Sequence, residues 1–531
     1  MIQAWVCDSL ERVFPSSTPQ RSLLRLDVAR GEKFSFQVAV IPDCPLVLNA
    51  KVNCAPGLTA IIRRVGYVPL LRRNESATAN NTEGYDVIPG LVPDPLYDDF
   101  QYTLPPRSAS AFWISGMAAP DCRPGLKKIQ VVLASTDLHR KEAVTLTAGI
   151  QVHPVRLRPR SGFDVTHWFY ADALCDWYKA DPWTEDFWRI VPPYIRNVAA
   201  HGQNVLYVPV FTPPLDGVKR PTQLLGVRRT GKDKYAFDWS QVRRWIRTAR
   251  QCGIEKFEWC HLFTQWGARF AIRIYQNQFS EDTLLWPPET PGTGEIYRAF
   301  LAQFLPQLHR FLLREKLLDR SLFHLSDEPH GDEHLESYRQ TRAMLRELAP
   351  WMKVMDALSD IRFAKEKLVD MPVPSIRTAK QFWAEQIPCW HYYCCSPRGD
   401  YLNRHLETPL ALIRMSGWLF YRFQARGFLH WGYNYWYKSQ TRQLINPFFE
   451  SDGLAAPGWV SGDPFVVYPG PNGPLDSIRW EVFAESLQDY QLLQTLNISP
   501  EKLAGEFVDY NQFPKSAAWL RSRRRRLLQT K

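Results

Sequence analysis

The segment Phe323-His-Leu-Ser-Asp-Glu-Pro-His330 decides the fold of this chain. It is a short apolar run followed by two adjacent carboxylates and a proline, which predicts a β-strand with Asp327 and Glu328 at its carboxyl end. Apolar residues recur at helical spacing on both sides of it, over residues 293–317 and 335–348. Helix, strand and helix in succession indicate part of a repeating βα fold, in which reactive side chains gather at the carboxyl ends of the strands.

The Asp327-Glu328 pair has two interpretations. Two acids at a strand end are typical of a glycosidase. The alternative is structural: Pro329 ends the strand and Asp327 caps the next helix. Surface acids are common, so the segment alone favours the structural alternative, and the rest of the chain must decide.

Residues 1–158 follow a different pattern, in which apolar and polar residues alternate as they do along a β-strand. The clearest runs are at Phe34, Phe36, Val38 and Val40 and over residues 144–152. This pattern predicts an N-terminal β-sandwich domain. Prolines and a glycine over residues 154–162 mark a linker.

Residues 163–497 alternate short apolar runs with helical patterns. Ser240 to Gln251, for example, carries an apolar face and is followed by Gly253. Eight such alternations predict a catalytic (β/α)8 barrel, a TIM barrel. The predicted strands lie at residues 164–170, 204–210, 254–260, 323–330, 353–357, 368–373, 388–394 and 427–434. A short helical tail, residues 498–531, completes the chain.

The composition narrows the possible partners. Aromatic residues make up 13% of the 531 residues, including 20 Trp, which suits stacking on sugar rings but also suits a large aromatic core. The formal net charge is +11. Part of this excess lies in the run Arg521-Ser-Arg-Arg-Arg-Arg526, interpreted as a solvated helix end. No nucleic-acid-binding motif accompanies it, so we expect no nucleic-acid partner.

Cysteine usage and hydropathy suggest a cytoplasmic location. The ten cysteines include no pair of CxxC motifs, and the adjacent Cys394 and Cys395 cannot easily bridge each other. The first residues lack the basic and long apolar regions of a signal peptide. No apolar run is long enough to span a membrane. No His, Cys or acid cluster has convincing metal-ligand spacing, so no metal or other cofactor is expected.

Five motifs in order resemble glycoside hydrolase family 123 over most of residues 90–495. They are Val92-Pro-Asp-Pro-Leu96, the Ser-Asp-Glu-Pro run, Tyr393-Cys-Cys-Ser-Pro-Arg-Gly399 with Asn403, Gly427-Phe-Leu-His-Trp-Gly-Tyr-Asn-Tyr-Trp436, and Gly462-Asp-Pro-Phe-Val-Val-Tyr-Pro-Gly470 continuing through Ser477-Ile-Arg-Trp-Glu481 to Asp489-Tyr490. The resemblance implies an exo-acting β-N-acetylgalactosaminidase that acts on glycans or glycolipids.

The resemblance also implies a retaining, substrate-assisted mechanism, in which the 2-acetamido oxygen of the sugar attacks the anomeric carbon. Glu328 would be the general acid and then the base, with a pKa raised by a partly desolvated aromatic pocket. Asp327 would stay ionised, orient the acetamido N–H and stabilise the positive charge that develops on the oxazoline.

Further candidates for substrate binding follow from strand position. Tyr392 or Tyr393 could bind the acetamido oxygen, and alternation allows only one of them to face the site. The other candidates are Trp431, Trp436, Asn434, His167 and Trp168; packing in the core is an equally good explanation for each. The long aromatic insertion at residues 261–291 allows a different substrate. A glycosidase of the same fold acting on another sugar, and a non-catalytic carbohydrate-binding protein, are therefore the alternatives.

Overall fold

The computed structural model describes residues 2–20, 23–99, 101–136, 142–211, 222–276 and 283–529. Parts of the predicted insertion (277–282), of the sandwich and of the C-terminal tail therefore lie outside the described residues. The described part of residues 1–158 contains ten strands: β1 (Ile2–Asp8), β2 (Arg25–Arg30), β3 (Lys33–Pro42), β4 (Leu46–Cys54), β5 (Leu58–Leu70), β6 (Gly90–Tyr97), β7 (Gln101–Leu104), β8 (Ser110–Ala118), β9 (Gly125–Ser135) and β10 (Ala143–Arg156).

These ten strands form two five-stranded sheets, in the orders β1-β3-β8-β5-β6 and β2-β10-β9-β4-β7. Both sheets contribute to one apolar core, into which β3 points Phe34, Phe36, Val38 and Val40. This is the two-layer arrangement that the alternating pattern of residues 1–158 predicts.

The second part of the chain alternates helices with short strands. Its strands are β11 (Asp164–His167), β12 (Val205–Val208), β13 (Gly226–Gly231), β14 (Lys234–Asp238), β15 (Lys256–Trp259), β16 (Ser321–Phe323), β17 (Met355–Ala357), β18 (Met371–Val373), β19 (His391–Tyr392), β20 (Gly427–His430), β21 (Val467–Gly470) and β22 (Gly473–Asp476).

Eleven helices are described: α1 (Ala171–Tyr178), α2 (Glu185–Ala200), α3 (Ser240–Gln251), α4 (Glu295–Arg314), α5 (Gly331–Leu348), α6 (Arg362–Lys365), α7 (Ala379–Ala384), α8 (Leu410–Arg414), α9 (Ser416–Arg422), α10 (Ile478–Thr495) and α11 (Ala517–Gln529). The described residues also include two 3₁₀ helices, Leu318–Arg320 and Pro500–Leu503. Within the described residues, none of these helices has both the length and the apolar character that crossing a membrane requires.

The parallel strands pair in three separate ladders, β11-β20-β19, β12-β15-β16 and β17-β18. The chain is thus a multidomain protein of mixed α and β structure, as predicted. The predicted (β/α)8 barrel is not present as one continuous eight-stranded sheet in the described part of the chain. Its strands are only two to four residues long, so few backbone hydrogen bonds join neighbouring ladders.

The strand predicted over residues 323–330 ends at Phe323, earlier than expected. Beyond that residue the carboxylate of Asp356 takes the place of a neighbouring strand, because it accepts hydrogen bonds from the backbone N–H groups of Leu325 (3.0 Å) and Ser326 (3.2 Å). Asp327 and Glu328 therefore lie on a loop above the strand end, where side chains are free of the strict alternation of a strand.

Helix α10 joins the two parts of the molecule. The first sheet is buried on both faces: Ser35, which points away from the sandwich core, is buried and donates a hydrogen bond to Glu485 of α10. Arg479 of α10 pairs with Asp94 of β6 through two 3.0 Å hydrogen bonds, and both side chains are fully buried. The sandwich is therefore packed firmly against the second part of the chain.

The basic C-terminal run, predicted to be a solvated helix end, is only partly solvated: Arg525 and Arg526 are exposed, whereas Arg521 and Arg523 are half-buried. Arg524 is 2% exposed. Three arginines of α11 form ion pairs with buried or half-buried carboxylates: Arg521 with Asp8, Arg524 with Glu32 and Asp489, and Arg525 with Asp27. These contacts dock the last helix onto the sandwich, so part of the positive charge is structural.

Replacing Arg479 with Met tests how much the contact between α10 and the sandwich stabilises the protein. The substitution leaves the buried Asp94 carboxylate without its cation, and we expect the free energy of unfolding to fall by about 3–5 kcal/mol. Denaturant unfolding followed by tryptophan fluorescence measures this loss. Arg339→Met, which removes an exposed ion-paired arginine, is the control. Equal losses for the two variants would contradict a special role for the Arg479-Asp94 pair.

Candidate functional site

A cavity of about 150 Å³ lies where the predicted catalytic acids meet the ends of the parallel strands. Asp327 and Glu328 are the acidic residues in its lining. The other lining residues are mostly aromatic or weakly polar: Trp168, Gln265, Trp266, Ala357, Tyr392, Cys394, Cys395, Leu429, Trp431, Tyr435, Gln440 and Trp459. This is a small, aromatic site with one pair of carboxyl groups.

Glu328 is held by its backbone and by one tyrosine. Its φ of +46° lies in the left-handed region, which costs a residue with a side chain about 1–2 kcal/mol. Its backbone N–H donates to the carbonyl of Ala357 (2.9 Å), and the Tyr392 hydroxyl donates to its Oε1 (2.7 Å). An unfavourable backbone conformation kept at a cavity wall points to a functional role for the side chain that it positions.

Asp327 is more deeply buried, with 4% of its surface exposed. Gln265 Nε2 donates to its Oδ2 (3.2 Å), and the N–H of Trp266 donates to its backbone carbonyl (2.8 Å). Burial, followed by the negative charge of Glu328, raises the pKa of Asp327 well above its usual value, although the positive charge of His324 opposes the shift. The expectation that Asp327 stays ionised during the reaction remains a prediction.

A buried charged network lies directly beneath the two acids. His324 Nε2 contacts Glu258 Oε1 (2.6 Å), His324 Nδ1 contacts Asp356 Oδ1 (3.2 Å), and Tyr338 donates to Asp356. Burial disfavours the charged imidazole, but the hydrogen bonds and charges of Asp356 and Glu258 outweigh it and raise the pKa of His324 to about 10. His324 is therefore an imidazolium at neutral pH, three residues before Asp327.

Aromatic side chains form the other walls. Trp168 donates its indole N–H to Glu258 Oε1 (2.7 Å), which links the cavity to the buried network. Trp431 donates to Asp463 Oδ2 (2.9 Å) and packs against Trp459, with ring centroids 5.0 Å apart. Fixed indole rings of this kind offer flat apolar faces to a sugar ring.

The structure separates the predicted substrate-binding residues into two groups. Tyr392, Trp168 and Trp431 line the cavity. His167, Tyr393, Asn434 and Trp436 are fully buried elsewhere in the core. Of these four, Asn434 bonds the backbone of Tyr170 and His167 bonds Gln203 and Arg404, so their polar groups serve the fold.

Several residues of the cavity wall were not among the candidates predicted from the sequence. Gln265 and Trp266 belong to the long aromatic insertion at residues 261–291, which indicated only that the substrate could differ. Trp266 has a left-handed φ of +60°, which no spacing pattern reveals. Gln440 and Trp459 lie between the motifs of residues 427–436 and 462–470, in a stretch that contains no motif of its own.

Among the described residues, two groups of side chains have ligand atoms close enough together for a metal ion: His261, His324 and Asp356, and His201, Asp476 and Glu481. In the first group His324 is protonated and both its ring nitrogens face carboxylates. In the second group the guanidinium of Arg63 already bonds Asp476 (2.5 Å) and Glu481 (2.7 Å). Neither group suits a cation, because positive charge already occupies both.

Comparisons with solved structures support the fold. A family 123 glycoside hydrolase from Clostridium perfringens, studied for glycolipid glycan hydrolysis, aligns over 100% of this chain and 98% of its own, with a TM-score of 0.75 and 13% identity. A GH2 β-galacturonidase from Eisenbergiella tayi covers 92% of this chain and 73% of its own with a TM-score of only 0.33 and 9% identity, too low to support any argument. A comparison with curated proteins gives no match.

The family models give the more specific result. The model described as the glycoside hydrolase 123 catalytic domain matches residues 168–496, which is more than half of the chain and contains the whole cavity lining. The match confirms the family resemblance seen in the sequence. The chain therefore belongs to the glycoside hydrolase 123 family.

Proposed function

We propose that this glycoside hydrolase is an exo-acting, retaining β-N-acetylgalactosaminidase whose nucleophile is the 2-acetamido group of the substrate. The observation that carries the proposal is the cavity lining, in which Asp327 and Glu328 are the acidic residues and follow each other in sequence. Retaining enzymes with a protein nucleophile use two carboxyls facing each other across the scissile bond. One acid and one orienting carboxylate on the same loop suit a nucleophile supplied by the substrate.

The raised pKa of Asp327 bears on how this carboxyl would bind the acetamido group. Burial is the largest cause of the shift, and the negative charge of Glu328 adds to it. An acetamido N–H that donates a hydrogen bond to Asp327 favours the ionised carboxyl, which is the form that orients the acetamido group. Substrate binding would thus oppose part of the effect of burial on Asp327.

The steps of the reaction then follow from the two side chains. Glu328 donates its proton to the leaving oxygen as the acetamido oxygen bonds to the anomeric carbon. Asp327 accepts the acetamido N–H and stabilises the positive charge of the oxazolinium. Glu328, now ionised, takes a proton from a water molecule as that water attacks the anomeric carbon and opens the oxazoline ring. Two successive displacements at the anomeric carbon retain its configuration.

Two alternatives are kept. The first is a glycosidase of the same family that acts on another sugar, which the insertion at Gln265 and Trp266 would favour because it contributes to the cavity wall. The second is a carbohydrate-binding protein without turnover. The strained backbone of Glu328 argues against the second alternative, because a binding protein needs no carboxyl held at this cost.

The proposal also includes the architecture. We infer that residues 1–158 form a separate sandwich domain and that the ladders of residues 163–497 close into a (β/α)8 barrel. Single parallel bridges between Phe323 and Val354 and between Ser375 and Tyr392 support closure, because each joins neighbouring ladders. The hydrogen bond from Val165 N–H to Asn204 Oδ1 (2.9 Å) supports it between β11 and the start of β12.

A reducing, cytoplasmic location is part of the same proposal. None of the ten cysteines forms a disulfide, and two of them, Cys394 and Cys395, line the cavity. Free thiols in a cavity wall are best preserved in a reducing compartment.

The primary test is hydrolysis of p-nitrophenyl N-acetyl-β-galactosaminide, compared with its gluco epimer and with the plain β-galactoside. We expect turnover of the acetamido substrates alone. Glu328→Gln should slow a substrate with a poor leaving group by about 10²–10⁴-fold and the activated aryl glycoside much less. Equal turnover of the plain galactoside would contradict the substrate-assisted mechanism, and equal losses on both leaving groups would contradict the acid role of Glu328.

Tyr392 and Tyr393 form a matched pair for a second test. Tyr392→Phe removes the hydrogen bond to Glu328, which we expect to lower kcat/KM by about 10–100-fold, the worth of one hydrogen bond to a charged group. Tyr393→Phe should change kcat/KM much less, because Tyr393 is buried against Phe428 and His430. The opposite order of the two losses would contradict the placement of Tyr392 in the site.

The raised pKa of Asp327 predicts a pH-dependent gain in stability for Asp327→Asn. A carboxyl whose pKa is higher in the folded than in the unfolded chain opposes folding once it ionises in the unfolded chain, just above its ordinary value of 3.8. Asparagine removes this cost, so the gain in Tm over the unaltered protein should grow as the pH rises above about 4. Calorimetric scans measure it, with the exposed Asp121→Asn as control. A gain in Tm that shrinks as the pH rises would contradict the raised pKa of Asp327.

A further inference from the structure

Two adjacent cysteines in the wall of the cavity have no role in the mechanism above. Cys394 and Cys395 follow β19 closely, both are half-buried, and both line the cavity that contains Asp327 and Glu328. Their sulfur atoms lie 3.8 Å apart. The cavity therefore presents two thiols side by side, next to the proposed catalytic acids.

The backbone that carries the two thiols is fixed by hydrogen bonds. The carbonyl of Cys394 accepts a hydrogen bond from Nδ2 of Asn403 (2.9 Å) and contacts Nε2 of His405 (3.1 Å). The carbonyl of Cys395 accepts a hydrogen bond from Nε of Arg398 (2.8 Å). The two sulfurs are therefore placed by a held segment of the chain.

The distance between the sulfurs does not suit a disulfide but suits a bridge through a single atom. An ordinary disulfide has an S–S bond of about 2.05 Å and Cα atoms roughly 4.4–6.8 Å apart, whereas the Cα atoms of adjacent residues are about 3.8 Å apart. A single atom that bonds two sulfurs at about 2.3 Å, as zinc does, holds them roughly 3.4–3.8 Å apart for angles near 95–110°. The observed separation of 3.8 Å matches such a bridge.

The surroundings of the thiols indicate which kind of atom can bridge them. Among the described residues, neither cysteine belongs to a group of three side chains that could hold a metal ion. The hydrogen bond with Cys395, followed by burial, raises the pKa of Cys394 well above its usual value, so this thiol keeps its proton at neutral pH. A zinc-like ion needs thiolates and at least three protein ligands. A trivalent arsenical of the type R–As=O needs only two thiols.

The reaction with such an arsenical balances without an oxidant or a reductant. The As=O bond breaks, two As–S bonds form, and the two thiol protons leave with the oxygen as one molecule of water. Arsenic remains trivalent. Because the second thiol is already held beside the first, the second As–S bond forms within one molecule, at a high effective concentration.

We propose that Cys394 and Cys395 form a dithiol site for trivalent arsenicals, and that an arsenical bound there fills the cavity that contains Glu328. The cavity has a volume of only about 150 Å³. Trp431 and Trp459 also line it, so an aryl group carried by the arsenic would meet aromatic faces there. The binding requires the two thiols alone, whereas the loss of activity that follows from it rests on the proposed function.

Native mass spectrometry of the full-length reduced protein, with one equivalent of phenylarsine oxide and excess 2-mercaptoethanol, tests the binding. We expect one phenylarsenic group per chain, added with loss of one water. Cys394→Ser and Cys395→Ser should each lose this adduct, because the single As–S bond that remains is displaced by the monothiol. The matched control is Cys54→Ser, which removes a half-buried cysteine at the end of β4 and should keep the adduct.

Hydrolysis of p-nitrophenyl N-acetyl-β-galactosaminide measures the effect on activity. One equivalent of phenylarsine oxide should lower the rate of the unaltered protein at least ~10-fold, because a filled cavity cannot enclose a sugar. Added 2,3-dimercaptopropanol, which offers a competing pair of thiols, should restore the rate, and more 2-mercaptoethanol should not. Each serine variant should have the same rate with and without the arsenical.

The outcomes separate this proposal from the function on which its second half rests. Absence of the adduct on the unaltered protein, its survival in either serine variant, or its loss in Cys54→Ser would overturn the dithiol site. An adduct that leaves the rate of hydrolysis unchanged would overturn the filling of the cavity. If the unaltered protein forms the adduct but hydrolyses no acetamido glycoside, the proposed function fails and the dithiol site stands.

Discussion

The imidazolium of His324, buried between the carboxylates of Glu258 and Asp356, is the interaction on which the site depends. Both carboxylates also make a second set of contacts, since Glu258 accepts the indole N–H of Trp168 and Asp356 accepts the backbone N–H groups that follow β16. The positive charge of His324 thus fixes the positions of Trp168 in the cavity wall and of the loop that carries Asp327 and Glu328. Without it, two carboxylates would be left unpaired in the core, at a cost of several kcal/mol.

The same charge affects the chemistry above it. His324 is close enough to lower the pKa of Asp327, against the larger effects of burial and of Glu328. The loop therefore places two carboxyl groups above one imidazolium. A hydrogen bond from a substrate to Asp327 would act in the same direction as this imidazolium, because both favour the ionised carboxyl.

Long patterns were predictable from the sequence, and local geometry was not. Helix α3 begins and ends at the predicted residues, since its apolar face and Gly253 are explicit in the sequence. The family and the acids Asp327 and Glu328 came from motifs. The loop that carries these acids was predicted as a strand, because nothing in residues 323–330 shows that a side chain 30 residues away, Asp356, replaces a neighbouring strand.

The direction of individual side chains was the other feature that could not be predicted from the sequence. Tyr392 and Tyr393 are equivalent in sequence, and only the tertiary structure shows that the first contacts Glu328. Trp431 and Trp436 likewise differ only in what surrounds them: one lines the cavity and the other is packed in the core. The basic run near the C-terminus was misinterpreted for the same reason, since its partners Asp8, Asp27 and Glu32 lie at the opposite end of the sequence.

Those contacts between the ends of the chain have a consequence for biosynthesis. The sandwich is synthesised before α11, yet Asp27 of β2 and Glu32, which lies between β2 and β3, form ion pairs with arginines of that helix. Asp94 likewise pairs with Arg479, which is synthesised much later. The sandwich can thus make all of its contacts only after the part of the chain that follows it has been synthesised. A nascent chain stalled before residue 520 would display a sandwich with uncompensated acidic groups, which a quality-control system could distinguish from the finished protein.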